Sequence, residues 1–286
     1  MVKTYNEIYL AFRRALLDAG VEEAGTEARF LLSAAAGKSV AAFLRDIRLF
    51  PSEDFPPRAE GYLRRRLSGE PAAYIAGCWE FHGLELEVNP HTLIPRSDTE
   101  VVTDAAIEFL QTKPKAKAKV LDLCTGSGCI ALAIADAVKD CRVIAADIDL
   151  EALNTAKRNA VRTRLHQRVF CLPADALNAP PKTLGSFDLI ISNPPYIPAA
   201  EIETLDSSVK DYEPRLALDG GNDGLDFYRS IFRHWVSILN PGGCLALECG
   251  EEQAASLIRF GAEVGLTKAA VFRDTGDTER AVLFYK

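Results

Sequence analysis

The apolar positions of this chain change their period twice. Up to about residue 70 they recur at helical spacing. Thr4 and Glu7 form a capping box ahead of Ile8, Phe12, Ala15 and Leu16, and Gly20 closes that helix. Thr26 opens a second helix through Phe30, Leu31 and Ala34, ending near Gly37. Ser39 caps a third through Phe43 and Leu44, and a fourth runs from about Phe55 through Tyr62 and Leu67 to Gly69. From Cys78 to Ile94 the period shortens to two, with Phe81, Leu84, Leu86 and Val88 apolar and His82-Gly83 as a turn, which predicts a β-hairpin. A helix over Asp98–Leu110 then leads into Lys113, Lys115, Lys117 and Lys119, which read as a solvated linker.

Beyond Lys119 short apolar runs alternate with helical patterns. Strands are expected at Val120–Leu123, Arg142–Ala146, Val169–Leu172, Phe187–Ile191, Cys244–Leu247, Lys268–Arg273 and Ala281–Phe284. Helices fill Ile130–Val138, Leu150–Ala160, Phe227–Leu239 and Glu252–Val264. That alternation predicts an α/β, Rossmann-like, mostly parallel seven-stranded sheet. Only the turn-rich Asp274–Thr278 joins the last two strands, so they should form a C-terminal antiparallel hairpin. The expected organisation is a small all-helical domain over 1–75, a β-hairpin connector over 76–97 and an α/β domain over 98–286.

Composition narrows the function classes. The 286 residues are 48% hydrophobic and 26% charged, as in an ordinary globular protein. No apolar stretch is long enough to cross a bilayer, and the start lacks a signal-peptide core, so no membrane role is expected. The seven cysteines include no C-x-x-C pair, which suits reduced thiols in a cytoplasm. Only four histidines are present, without ligand spacing, so no metal is expected. The net charge of −7 argues against direct nucleic-acid binding, because phosphate neutralisation supplies most of that affinity.

Two segments carry chemistry. Asn193-Pro194-Pro195-Tyr196 follows the apolar run Phe187–Ser192, where an α/β sheet places its ligands. The prolines remove two N–H donors and stiffen the turn. The Asn193 side-chain oxygen and the Pro194 carbonyl are then acceptors beside an aromatic ring, an arrangement suited to a flat amino group. Upstream, Asp122-Leu123-Cys124-Thr125-Gly126-Ser127-Gly128 ends a strand and opens a helix, whose free N–H groups suit a carboxylate or phosphate. Asp147 closes the next strand and is placed to accept both hydroxyls of a ribose. Gly126, Gly128 and Ala131 also satisfy a dinucleotide fingerprint. The acid Asp122 suits the ammonium of S-adenosylmethionine, besides holding the loop, and so favours that cofactor. Asp175-Ala176 lies where an adenine edge would be bordered, although Asp175 equally suits a turn.

Val120–Gly128, Asp147 and Asn193–Tyr196 together resemble class I S-adenosylmethionine-dependent methyltransferases with an amino-group motif. Adenine-N6, cytosine-N4 and protein-glutamine methyltransferases share that pattern. The flanks Gly69–Gly77, Glu80–Leu84, Leu93–Arg96, Tyr212–Leu218 and Gly220–Leu225 with Tyr228-Arg229 resemble the release factor glutamine methyltransferase family. The resemblance implies methyl transfer to the glutamine amide nitrogen of a Gly-Gly-Gln loop in a peptide chain release factor. Asn193, Pro194 and Tyr196 would be catalytic, with Pro195 also contacting substrate. Asp122, Cys124, Thr125, Gly126, Ser127, Gly128, Asp147, Asp175, Ala176 and Asn193 would bind the cofactor. Ser97-Asp98 replaces the family's usual Pro-Glu, and a Ser after the Arg also occurs in the related enzymes that methylate a ribosomal-protein glutamine. Cys124 stands where glycine is frequent, which requires it to face away from the cofactor.

Overall fold

A computed structural model of the chain describes residues 3–112 and 117–286, so Lys113 and Lys115 lie outside the described residues. The chain divides into two compact units. One runs through Cys78 and includes Asp206–Tyr212; the other comprises Trp79–Leu205 and Glu213–Lys286.

The first unit is helical: α1 (Tyr5–Asp18), α2 (Ala24–Ala35), α3 (Val40–Arg45), α4 (Phe55–Leu67) and α5 (Ala72–Ala76). The capping box forms as expected. The Glu7 N–H donates to Thr4 Oγ1 (3.3 Å), and the Thr4 N–H donates to Glu7 Oε2 (2.7 Å). Helix α2 starts two residues before Thr26, whose hydroxyl donates back to Glu23 Oε2 (3.2 Å). Burial of Ala24 and Ala28 alongside Leu31 and Leu32 draws that first turn into the core. Helix α5 was not expected, since five residues between Pro71 and a left-handed Gly77 (φ 73°) are too short to display a period. Phe12, Leu16, Phe43 and Phe55 close the core, and Glu27 on α2 pairs with Arg66 on α4 (2.7 Å). The Tyr212 hydroxyl donates to the Ser68 carbonyl (2.7 Å), which ties the returning segment to the end of α4.

The second unit begins with the predicted hairpin, β1 (Cys78–Phe81) and β2 (Leu84–Glu87). Positive φ at His82 (51°) and Gly83 (76°) makes its tight turn. The hairpin is pinned to this unit: the His82 N–H donates to Glu100 Oε1 (3.1 Å), and the Glu87 N–H donates to Asn159 Oδ1 (2.7 Å). There follow α6 (Asp98–Thr112), β3 (Ala118–Leu123), α7 (Cys129–Ala137), β4 (Cys141–Asp147), α8 (Leu150–Arg162), β5 (Val169–Pro173) and β6 (Phe187–Ser192). After α9 (Ser207–Lys210), which belongs to the first unit, come α10 (Asp226–Ser230), β7 (Leu239–Glu248), α11 (Ala254–Glu263), β8 (Lys268–Arg273) and β9 (Glu279–Tyr285).

The sheet order is β5-β4-β3-β6-β7-β9-β8. β5, β4, β3, β6 and β7 pair in parallel, and β9 runs antiparallel to both β7 and β8, giving the expected C-terminal hairpin. Alternate strand residues face two apolar layers. Val120, Val143 and Leu189 meet Val102, Ile130 and Ile134, whereas Leu121, Ile190 and Leu245 meet Tyr228, Trp235 and Leu257. The helix expected over Phe227–Leu239 is irregular, passing from α10 into a π-turn at Ile231–Trp235 and a 3₁₀ turn at Val236–Ile238. Widening to an i→i+5 repeat lets the Ser230 hydroxyl (2.7 Å) and the Trp235 indole N–H (3.1 Å) donate to one carbonyl, that of Ala176. Truncating the confirmed cap, Thr4→Ala, should lower stability by about 1 kcal/mol in denaturant unfolding followed by helical signal.

Candidate active site

Strand order reverses between β3 and β6: β4 continues on one side and β7 on the other. A crevice therefore opens at their carboxyl ends, the usual ligand position in such sheets. The register sets what lines it. Leu123 pairs with both Ala146 and Ser192, and Ser192 pairs with Leu247, so Cys124, Asp147, Asn193 and Glu248 all emerge at one level. The Ser192 hydroxyl donates to the Leu123 carbonyl (2.8 Å) and clamps the two central strands where they part.

The crevice encloses about 1000 Å³, its open mouth included, within the second unit. Cys124, Thr125, Gly126 and Ser127 form one wall, Asp147, Asp175 and Ala176 a second, and Asn193 and Pro195 a third. Thr99, Ile130, Ile148, Leu177 and Phe227 add apolar or hydroxyl surface. Asp122, Gly128, Pro194 and Tyr196, which the sequence reading places with these residues, are not among the lining residues. Asp122 is wholly buried beneath the loop, where its Oδ2 accepts from the Thr125 hydroxyl (2.5 Å) and the Ala131 N–H (3.1 Å). It holds the turn rather than facing the crevice. Gly128 starts α7 in a left-handed conformation (φ 83°), and a Cβ there would lie 3.1 Å from that of Ala156 on α8. Cys124, also left-handed (φ 59°), is among the residues that line the crevice.

Asp147 ties the loop to the next strand. Its Oδ2 accepts from the Gly126 N–H (2.8 Å) and its Oδ1 from the Asp149 N–H (3.0 Å). Asp175 builds the turn foreseen for it, accepting from the Leu177 N–H (2.9 Å) and the Asn178 amide (2.6 Å), and still borders the crevice. The Ser127 hydroxyl is buried with no partner among the described residues, at the mouth of helix α7. A donor left unsatisfied at a helix N-terminus fits an anionic ligand group such as a carboxylate.

On the third wall the Asn193 Nδ2 donates to Thr99 Oγ1 (3.1 Å), leaving Oδ1 as the side chain's other polar atom. The turn behind is packed tightly. Gln253 Nε2 donates to the Tyr196 carbonyl (3.0 Å), and the Ile197 N–H donates to the Leu218 carbonyl (3.0 Å). A Cβ on Gly220 would come within 2.8 Å of Tyr196 Cα, and one on Gly224 within 2.3 Å of the Tyr196 carbonyl oxygen. The glycines of 220–224 are thus the space in which this turn sits. Arg96 and Glu100 lie outside the crevice lining. Arg96 pairs with buried Glu213, which also accepts from the Ile94 N–H (3.0 Å).

Thr99, Gln253 and Glu248 escaped the sequence reading. Glu248 is fully buried, with the Tyr196 hydroxyl 3.4 Å from its Oε1. An acid closing an apolar strand was the signal that marked Asp147, and it marks Glu248 equally. Burial pushes both Asp122 and Glu248 up to about 7 and raises Asp147. Burial and the adjacent Glu248 raise the Tyr196 phenol far above its ordinary value, so it stays neutral. Among the described residues no group of His, Cys, Asp and Glu is arranged to hold a metal ion, and no helix is long and apolar enough to cross a membrane.

The parallel sheet with one reversed strand, a glycine turn and an acid on the neighbouring strand define the methyltransferase class, and the comparisons agree. Residues 97–216 match the family model described as the methyltransferase small domain, and residues 7–77 match the PrmC N-terminal domain. A methyltransferase from Pyrococcus furiosus shares the fold, with a TM-score of 0.51 and 24% identity over 71% of this chain and 89% of that one. The release factor glutamine methyltransferase of Geobacter sulfurreducens is 41% identical over 94% of this chain and 92% of its own length. That of Bradyrhizobium diazoefficiens is 40% identical over 91% and 85%. The chain belongs to the release factor glutamine methyltransferase family.

The buried Asp122 yields a pH test. Its folded affinity for a proton exceeds its unfolded one, so ionisation destabilises the fold as pH rises from about 4 towards 7. Asp122→Asn keeps one acceptor oxygen but cannot ionise. The variant's thermal midpoint relative to wild type should therefore climb across that range; a flat difference in calorimetry at several pH values would contradict the assignment.

Proposed function

We propose that the protein transfers the methyl group of S-adenosylmethionine to the side-chain amide nitrogen of the glutamine in the Gly-Gly-Gln loop of a peptide chain release factor, acting in the cytoplasm. The observation that carries this reading is the Asn193–Tyr196 turn, set level with the Cys124–Gly128 loop across the β3–β6 crevice. Family membership gives the acceptor: the relatives' names specify a release factor glutamine.

The cofactor supplies a methyl group on a positively charged sulfur. The chain's residues fit the remainder of that molecule. The unpartnered Ser127 hydroxyl, at the mouth of helix α7, would take its carboxylate. The Asp147 carboxylate retains lone pairs for ribose hydroxyls, and Asp175 with Ala176 would border the adenine. Asp122 would act from beneath, by holding the loop.

An amide nitrogen is a poor nucleophile because its lone pair is delocalised. Asn193 Oδ1 and the Pro194 carbonyl would each accept one hydrogen of the substrate –NH2, which fixes its plane and raises electron density on nitrogen. Neutral Tyr196 would help shut out water without acting as a base. Alignment supplies most of the remaining acceleration. No general base is needed before attack, because the nitrogen's extra proton becomes acidic once the C–N bond has formed.

Asn193→Ala should abolish transfer, by at least about 10²-fold, while cofactor affinity changes little. Parallel loss of both would make Asn193 a cofactor or fold residue. Asp147→Ala should weaken S-adenosylmethionine binding in calorimetry, and unchanged affinity would remove its ribose role. The acceptor is tested by offering labelled S-adenosylmethionine with a release factor, ribosomal proteins and nucleic acid, then locating the label by mass spectrometry. Label on the Gly-Gly-Gln glutamine supports the proposal; label only on a ribosomal protein or a base overturns it.

A further inference from the structure

The crevice has a roof as well as walls. His91, Leu93, Pro95 and Thr99 line it from the segment that joins β2 to α6, and Pro214 and Leu216 line it from the segment before α10. The first segment spans the mouth. His91 Nδ1 lies 3.4 Å from Asp149 Oδ2, just past β4, and further along Thr99 Oγ1 accepts from Asn193 Nδ2 (3.1 Å), just past β6. β4 and β6 flank β3, so residues 91–99 form a strap across the carboxyl end of the central strand. The second segment is tied to the Asn193 turn: the Ile197 N–H donates to the Leu218 carbonyl (3.0 Å), and the Gly220 N–H donates to the Ile197 carbonyl (2.9 Å).

One buried carboxylate joins the two segments. Glu213 is 5% exposed; its Oε2 accepts from the Ile94 N–H (3.0 Å), and its Oε1 accepts from Arg96, whose side chain is partly open to solvent. Leu93 and Pro95 line the crevice, while the Ile94 N–H and the Arg96 guanidinium turn to Glu213. The carboxylate therefore grips the strap from its outer side, and the next residue, Pro214, lines the crevice in its turn. The surface closed in this way is apolar. Pro95 and Pro214 carry no N–H donor and have a fixed φ. Leu216 lines the crevice yet is 51% exposed, which puts it at the mouth. Ser127, Asp147 and Asp175, which fit the polar groups of the cofactor, belong to neither segment.

Resting on the acceptor proposed above, we propose that Glu213 is a positioning residue: by holding the strap against the Pro214–Leu216 segment, it closes an apolar collar of Leu93, Pro95, Pro214 and Leu216 around the stem of the acceptor side chain. A glutamine carries its amide on a short, unbranched run of methylenes. An apolar collar takes those methylenes out of water and offers nothing that competes for the hydrogens of the amide. Its prolines make it stiff, so the –NH2 group arrives at Asn193 at a fixed depth. The glycines ahead of the glutamine, having no Cβ, let the substrate backbone come up to a narrow mouth. Without Glu213, Arg96 and the Ile94 N–H lose their shared partner, and the middle of the strap is released between its ends at His91 and Thr99.

The test uses the full-length enzyme with S-adenosylmethionine bound, and release factors altered only at the glutamine of the Gly-Gly-Gln loop. Methionine in that place keeps an unbranched stem without an amide, whereas alanine has neither. Calorimetry should show wild type binding the methionine release factor at least about tenfold more tightly than the alanine one. In Glu213→Ala and in Leu216→Ala that preference should shrink to within about threefold, with the S-adenosylmethionine Kd held to the same margin. A merely structural role for Glu213 would weaken both release factors alike and leave their ratio intact. Equal binding of the two release factors by wild type, a preference that survives in either variant, or cofactor affinity that falls in step with the preference overturns the inference. If Glu213→Ala shows no cooperative melt, Arg96→Met takes its place, since it loosens the same grip from a partly exposed side chain. The underlying reading fails separately: a wild-type enzyme that labels no glutamine in the release factor removes the acceptor, whereas labelled glutamine beside equal binding of the two altered release factors removes only the collar.

Discussion

Leu123 and Ser192 lie side by side at the carboxyl ends of β3 and β6, and the whole site depends on that adjacency. The two strands are neighbours in the sheet but distant in the chain, and their continuations are carried to opposite sides by β4 and β7. The Ser192 hydroxyl on the Leu123 carbonyl closes the ladder at its last step. Beyond it the backbones must separate, and the space between them is the crevice. Every parallel strand of the sheet ends at the same level, so one geometric fact brings together a glycine turn, three acids and the Asn193 turn.

The acids in this region act first on the backbone. Asp122 satisfies the Ala131 N–H and the Thr125 hydroxyl, and Asp147 satisfies the amides of Gly126 and Asp149. Glycine-rich turns have few side chains to stiffen them, and a buried carboxylate accepting from the main chain supplies the missing rigidity. The cost is desolvation, visible in the raised proton affinity of Asp122, Asp147 and Glu248. The same burial that makes these groups hard to ionise makes each accepted hydrogen bond stronger in its low-dielectric setting.

Legibility from sequence varied with the range of the physics involved. The hairpin turn at His82-Gly83 and the Thr4–Glu7 cap are decided within a few residues, and both were readable. The sheet was readable too, because parallel strands buried on two faces must be apolar runs. The start of α2 was misplaced because tertiary burial of Ala24 outweighed the local capping preference of Thr26. Helix α5 is too short to show a period, and the π-turn at Ile231–Trp235 coincides with two donors, on Ser230 and Trp235, reaching the distant Ala176 carbonyl. Asp122 suits both a cofactor ammonium and the holding of the loop in sequence, because a one-dimensional pattern places an acid near a loop without saying on which side.

What the sequence alone determined is the chemical inventory and its order. Strand, glycine turn, helix, acid and the stiff Asn193–Tyr196 turn follow one another with spacings that local backbone physics can interpret. Only the tertiary structure decided which inventory members share a wall. Glu248 and Thr99 are far apart in sequence and belong to elements with no local signal of partnership. β7 lies beside β6 and α6 packs on the same sheet, so Thr99 accepts from Asn193 Nδ2 while Glu248 lies by the Tyr196 hydroxyl at the other end of the same turn. A hydrogen bond's direction depends on what stands on its far side, and that is a property of packing that no run of neighbouring residues contains.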